Sequence, residues 1–150
     1  MTGVSRLAGA IGKGLVAGFA GTAAMTVSST AEMKLRGRAG SSAPADATAK
    51  VLGIDGFTDD AAKARFGTLV HWGYGTGFGV VRGLIGLTSL PAAKATTAHF
   101  AAVWGQEAAM LPALEIAPPF WTWGAKEIAL DVWHHVVYAT ATGIAYELLD

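Results

Sequence analysis

The chain contains no cysteine. That excludes disulfides, thiolate metal sites and iron–sulfur clusters, so any metal would have to rest on His, Asp and Glu. Charge is scarce as well. Asp, Glu, Lys and Arg make up 15% of the 150 residues and cancel to a formal net charge of zero, against about 25% charged residues in an ordinary soluble domain. Apart from a short basic patch at Lys34, Arg36 and Arg38, there is no block of one sign and hence no electrostatic footprint for nucleic acid, which is set aside as a partner. Repeats of solenoid length are missing, as are a nucleophile elbow, an HExxH pair and the paired ExxH signature of carboxylate-bridged metal bundles. The glycines of GYGTGFG (73–79) lack the Lys-Ser/Thr ending of a phosphate loop, and no βαβ unit surrounds them.

What is present is apolar length. Hydrophobic residues form 52% of a chain whose size suits one domain, 1–150. Four stretches are nearly free of charge: Gly14–Ala31, Phe66–Leu90 broken by Arg82, Ala95–Ile116 broken by Glu107, and Ile128–Tyr146 broken by Asp131. Each approaches the roughly 20 residues that cross a bilayer at about 1.5 Å rise per residue. The expected fold is all-α: a four-span transmembrane helix bundle running up-down-up-down, with a polar 37–64 connector containing short helical turns. Trp72, Tyr74, Trp121, Trp123, Trp133 and Tyr146 lie near span ends, where an interfacial aromatic belt belongs. A soluble alanine-rich bundle is the competing reading. It suffers from the abundance of interior glycine, which costs about 1 kcal/mol per residue in a water-exposed helix and favours close helix approach in lipid. Arg6 before an apolar run resembles a signal peptide, but the run outlasts a typical h-region, so it is read as the first span.

At 100° per residue, Gly14, Gly18, Gly21, Met25, Ser28 and Glu32 share one stripe of the first helix, with Leu15, Val16, Phe19, Ala23 and Val27 opposite. The second span carries Gly75, Gly79, Gly83 and Gly86 on one face. These glycines are the expected helix-packing surfaces. In the connector, Ser42 and Pro44 mark the start of a short helix ending before Gly53, and Thr58 reads as the cap of the next helix, with Asp59 and Asp60 on its positive end. Pro91 opens the third helix, Pro112 falls near its end, and Pro118-Pro119 forces an extended link to the last helix, which starts at Trp123 or Gly124.

The last helix raises the functional question, because LDVWHHVVYATATG (130–143) sets ionisable groups in an apolar run. Glu127, Asp131, His134 and Tyr138 follow i, i+4, i+7, i+11 and share a face with His135 at its edge. Ionisable groups facing lipid cost at least about 2.5 kcal/mol each on insertion scales, so this face turns inward. If the four helices alternate in direction, Glu32, His71 and Glu107 reach the same half of the membrane as Asp131, His134 and His135, and a polar cluster forms there. His99 falls in the opposite half. Such a cluster suits a proton or ion path, since His titrates near neutrality. It also suits a metal built on Asp131 and His135 with Glu107 or His71, a haem held by His71 with His134 or His135, or a hydrogen-bonded seam that fixes helix register.

Two segments, LVHWGYGTGFGVVRGLIG (69–86) and LPALEIAPPF (111–120) leading into DVWHHVVYATATG, together with the opening GLVAGFAGTAAMT, resemble the YagU-like family of bacterial inner-membrane proteins. The matching positions are His71, Trp72, Pro112, Pro118, Pro119, His135 and Tyr138, with Ala139 where the family pattern has glycine. The resemblance implies an integral, multi-pass location in the inner membrane and no established enzyme activity. The leading expectation is therefore a non-enzymatic accessory or scaffold protein without cofactor or metal, whose partners are the lipid bilayer and either another membrane protein or a second copy in a homo-oligomer. The alternatives are a proton or ion passage protein and a haem- or metal-binding redox subunit. Seven of the eleven Lys and Arg residues lie in the first and third connectors, which favours both termini outside under the positive-inside rule.

Overall fold

A computed structural model of the chain describes residues 2–149, all of whose regular structure is helical. Five α-helices occur among them: α1 (Gly3–Arg36), α2 (Ala43–Leu52), α3 (Asp60–Gly86), α4 (Ala92–Ala113) and α5 (Ala125–Leu149), with a single 3-10 turn at Phe120–Thr122 before α5. The ends follow local chemistry. Thr2 caps α1 by accepting from the Ser5 N–H at 3.3 Å, and α1 stops at Gly37, whose φ of 63° is left-handed. Pro44 lies in the first turn of α2, and Gly53, at φ 67°, ends it. The cap of α3 is Asp59 and not Thr58: Asp59 Oδ1 accepts the Ala62 N–H at 2.6 Å, because a carboxylate suits the positive helix end better than a hydroxyl.

Side-chain meetings give the helix directions. Thr22 faces Gly75 and Thr26 bonds His71, so residue numbers fall along α3 as they rise along α1. The same opposition links α1 to α5 through Ser28–His134 and Arg36–Glu127, α3 to α4 through Tyr74–Gln106 and Phe78–His99, and α4 to α5 through Glu107–His135 and Thr96–Gly143. Between α3 and α5 the numbers rise together, as in Gly75–Tyr138 and Gly83–Tyr146. Helix α2 leans on α3, with Ala45 facing Gly67 and Ala47 and Ala49 also buried, and Lys50 Nζ donates to the Leu114 carbonyl at 2.7 Å.

Glycine sets the closest approach. A Cβ on Gly18 would stand 2.6 Å from the Thr76 carbonyl oxygen, and one on Gly79 would stand 2.6 Å from the Gly18 Cα. Backbone cannot yield as a side chain can, so α1 and α3 hold their spacing only with glycine at both positions. The expected packing glycines all find neighbours within the chain. Gly14, Gly18, Gly75, Gly79 and Gly83 serve the α1–α3 seam, Gly21 meets Tyr138 and Thr142 of α5, and Gly86 meets Tyr146. These glycine faces are therefore covered by the fold itself and are not free surfaces for a partner.

The interior is unusual in what it contains. The largest fully buried side chains are Arg82, His99, Thr22 and Thr142, while Phe19, Val27, Leu69, Trp133 and Ile144 stand on the outside. The hydrophobic cluster at the centre is small: Val103, Tyr138 and Ala139, flanked by Met25, Phe78 and Phe100. Among the described residues one helix, α1, is both long and apolar enough to cross a membrane. At about 1.5 Å per residue, α3, α4 and α5 have the length, roughly 33–40 Å. Their interior Arg82, Glu107, Asp131, histidines and glycines lower their apolarity.

Candidate functional site

The polar residues expected to form one cluster divide into separate groups. The first joins α4 to α5. His135 Nε2 lies 2.7 Å from Glu107 Oε2, and His135 Nδ1 lies 2.9 Å from the Asp131 backbone oxygen and 3.7 Å from its Oδ1. A carbonyl only accepts, so Nδ1 carries hydrogen and the Nε2 edge is the one turned to Glu107. The Trp104 indole N–H donates to Asp131 Oδ2 at 2.8 Å, which orients the second carboxylate. Glu107, Asp131 and His135 each offer one ligand atom, and the three atoms lie within 4.8 Å of one another.

The second group joins the end of α1 to α5. Ser28 Oγ meets His134 Nδ1 at 3.0 Å, and His134 Nε2 stands 3.7 Å from Glu32 Oε2. Glu32 is taken up by Arg36 at 2.9 Å and by Arg38, which grips both carboxylate oxygens. The Arg38 guanidinium, seconded by Arg36, draws the Glu32 carboxyl down to about 2, and the reciprocal bond raises Arg38. Glu127, expected on the inward face, is exposed and reaches Arg36 at 3.8 Å.

His71 belongs to neither group. Its Nε2 is 2.8 Å from Thr26 Oγ1, whose hydrogen goes to the Thr22 carbonyl at 2.7 Å, so His71 Nε2 carries the proton of this contact. His71 therefore does not complete a ligand set with Asp131 and His135, nor pair with His134 or His135 in the way a haem would require. Tyr138 donates to the Gly75 carbonyl at 2.6 Å, and its ring lies 5.5 Å from that of His99. His99 donates through Nε2 to the Phe78 carbonyl at 3.1 Å, leaving Nδ1 buried without a hydrogen-bond partner among the described residues.

Sequence reasoning missed a third polar locus, at the far end of α3 and α5. Arg82 is 1% exposed, ion-pairs with Glu147 through Nη2, and lies over the Tyr146 ring at 4.3 Å, while its Nε and Nη1 find no hydrogen-bond partner among the described residues. The signal was available, because Arg82 interrupts the second apolar span, Glu147 directly follows the last one, and parallel neighbours bring them together. Trp104 was missed for another reason: nothing in an apolar run shows that an indole N–H will meet the carboxylate of Asp131. No family model matches the chain, and no curated protein or solved structure does either.

Proposed function

We propose that the chain is a four-span, up-down-up-down bundle of the bacterial inner membrane, acting as a non-enzymatic accessory or scaffold protein that binds a neighbouring membrane subunit or a second copy. The observation that carries this reading is that the largest fully buried side chains are polar, Arg82, His99, Thr22 and Thr142, while Phe19, Val27, Leu69, Trp133 and Ile144 lie outside. In water each large apolar side chain left exposed forgoes about 1.5–3 kcal/mol of burial, and contiguous patches of this kind drive aggregation. In lipid the same arrangement is favourable, because hydrocarbon solvates the outer side chains and polar groups pair within. The resemblance to YagU-like proteins points the same way.

Lateral association has its own support. The packing glycines are occupied, but Gly73 and Gly77 of α3 stand open, with nothing within 4 Å of the place a Cβ would take. They form a small-xxx-small pair between Leu69, 71% exposed, and Leu84, the pattern that lets a second helix approach closely. Gly77→Leu should abolish co-purification or self-association in mild detergent while the protein still resists alkaline carbonate extraction. Release of the wild-type protein by carbonate would overturn the membrane reading, and unchanged assembly in Gly77→Leu would overturn the α3 interface. A proton path finds less support, since no hydrogen bond among the described residues joins the Glu32–His134 group to the Glu107–His135 group.

A further inference from the structure

We propose that Glu107, Asp131 and His135 bind one divalent transition-metal ion of the zinc class at the α4–α5 seam. The donor set is one imidazole nitrogen and two carboxylates from two helices, a combination suited to a borderline divalent ion that takes nitrogen and oxygen together. Each donor is already oriented by a neighbour. The Asp131 carbonyl holds His135 Nδ1 and presents Nε2 to Glu107, and the Trp104 indole holds Asp131 Oδ2 and leaves Oδ1 without that bond, 3.7 Å from the Nδ1 edge of His135. Metal-binding histidines and carboxylates characteristically carry such outer bonds, which fix the tautomer and the ring direction.

Geometry and charge agree with this assignment. The three ligand atoms lie within 4.8 Å of one another. Ligands bound at about 2.0–2.2 Å in a tetrahedral site stand roughly 3.5 Å apart, so the Glu107 and His135 donors, now 2.7 Å apart, need only a small withdrawal of Glu107. Its side chain is 21% exposed. Among the described residues each carboxylate is ion-paired with His135 alone. Two carboxylates with a neutral imidazole match the charge of one divalent ion. Asp131 and Glu107 each lie six residues from the facing helix ends at Ala125 and Ala113, about 9 Å of helix rise, within reach of ions entering from the α4–α5 connector. Binding must expel the proton that lies between His135 Nε2 and Glu107 Oε2.

The test uses the full chain in detergent, stripped with a chelator and titrated with Zn²⁺ by calorimetry in two buffers of different ionisation enthalpy. One ion per chain with release of one proton near neutral pH is expected. Glu107→Gln and His135→Gln should weaken binding by more than tenfold, Trp104→Phe by about tenfold, and Glu147→Gln, in the separate Arg82 pair, should bind as the wild type does. Wild-type protein loaded with Co²⁺ should show one hyperfine-shifted, exchangeable imidazole N–H resonance from His135 Nδ1, a readout that does not depend on any variant folding. Failure of the wild type to bind Zn²⁺, absence of that resonance, or equal affinity in Glu107→Gln and His135→Gln would each overturn the site. None of these measurements depends on lateral association, so they stand or fall apart from the α3 interface.

Discussion

Arg82 of α3 pairs with Glu147 of α5 and lies 4.3 Å over the ring of Tyr146, so a single guanidinium buried to 1% exposure joins two helices that otherwise touch little. Its two other nitrogens find no partner among the described residues, so the compensation seen for the buried charge comes from Glu147 and the aromatic face. Removing one member of a buried ion pair costs more than removing both, because it leaves a charge without compensation.

This asymmetry predicts the order of a mutant set. Glu147→Gln should destabilise by about 1–3 kcal/mol, discounted from the fully buried case because Glu147 is 47% exposed. Arg82→Met with Glu147→Gln should be more stable than Glu147→Gln alone. Thermal unfolding of the wild type, Glu147→Gln and the double variant in one detergent decides the matter. A double variant less stable than Glu147→Gln would mean that the guanidinium is held by its packing and not by its charge.

The α1–α3 contact makes a sharper distinction between glycines that look alike in the sequence. Gly79→Ala places a methyl against the Gly18 backbone, where it must push two helices apart, and overpacking of this kind costs about 1–3 kcal/mol. Gly77→Ala, two residues earlier, meets open space and should be neutral or slightly stabilising, since alanine is the better helix former. Melting temperatures of the two variants measure the difference directly. Equal values would indicate that α1 and α3 can separate without penalty.

The same contrast marks how far the sequence could be read. The positions of α1, α3, α4 and α5 were legible because charge-free runs bounded by proline, glycine and acidic caps leave few alternatives, and Leu15, Val16, Phe19 and Val27 face outward as their stripe required. The pairing of Glu107 with His135 and Asp131 was also within reach, from depth alone. Periodicity gives depth and face but not the neighbour a face meets. It could not say that Gly14 and Gly18 would spend themselves on Gly79, that His71 would bond Thr26, or that Glu32 would be gripped by Arg36 and Arg38. Those outcomes depend on rotation of each helix about its axis, which is settled by packing of all the helices together.

Glu32 supplies a pH dependence with a definite sign. Bonded to Arg38 and Arg36 just beyond the apolar run of α1, its carboxyl falls from an ordinary value of 4.5 to about 2. A group whose value is lower in the folded protein stabilises fully above its unfolded value, and that contribution fades as pH falls toward the folded one. Between roughly pH 4.5 and pH 2 the Arg36–Glu32–Arg38 clasp should therefore loosen, freeing the turn from Gly37 to Ser42 that Arg38 anchors through the Ala39 carbonyl. Hydrogen exchange or limited acid-protease cleavage in residues 37–42 should rise across this window, with the rest of α1 unchanged. Glu32→Gln should show the loosened behaviour at neutral pH, where its amide gives up the ionic component of both arginine contacts. A turn equally protected in Glu32→Gln would mean that the left-handed Gly37 and the Arg38 N–H bond to the Met33 carbonyl suffice to hold it.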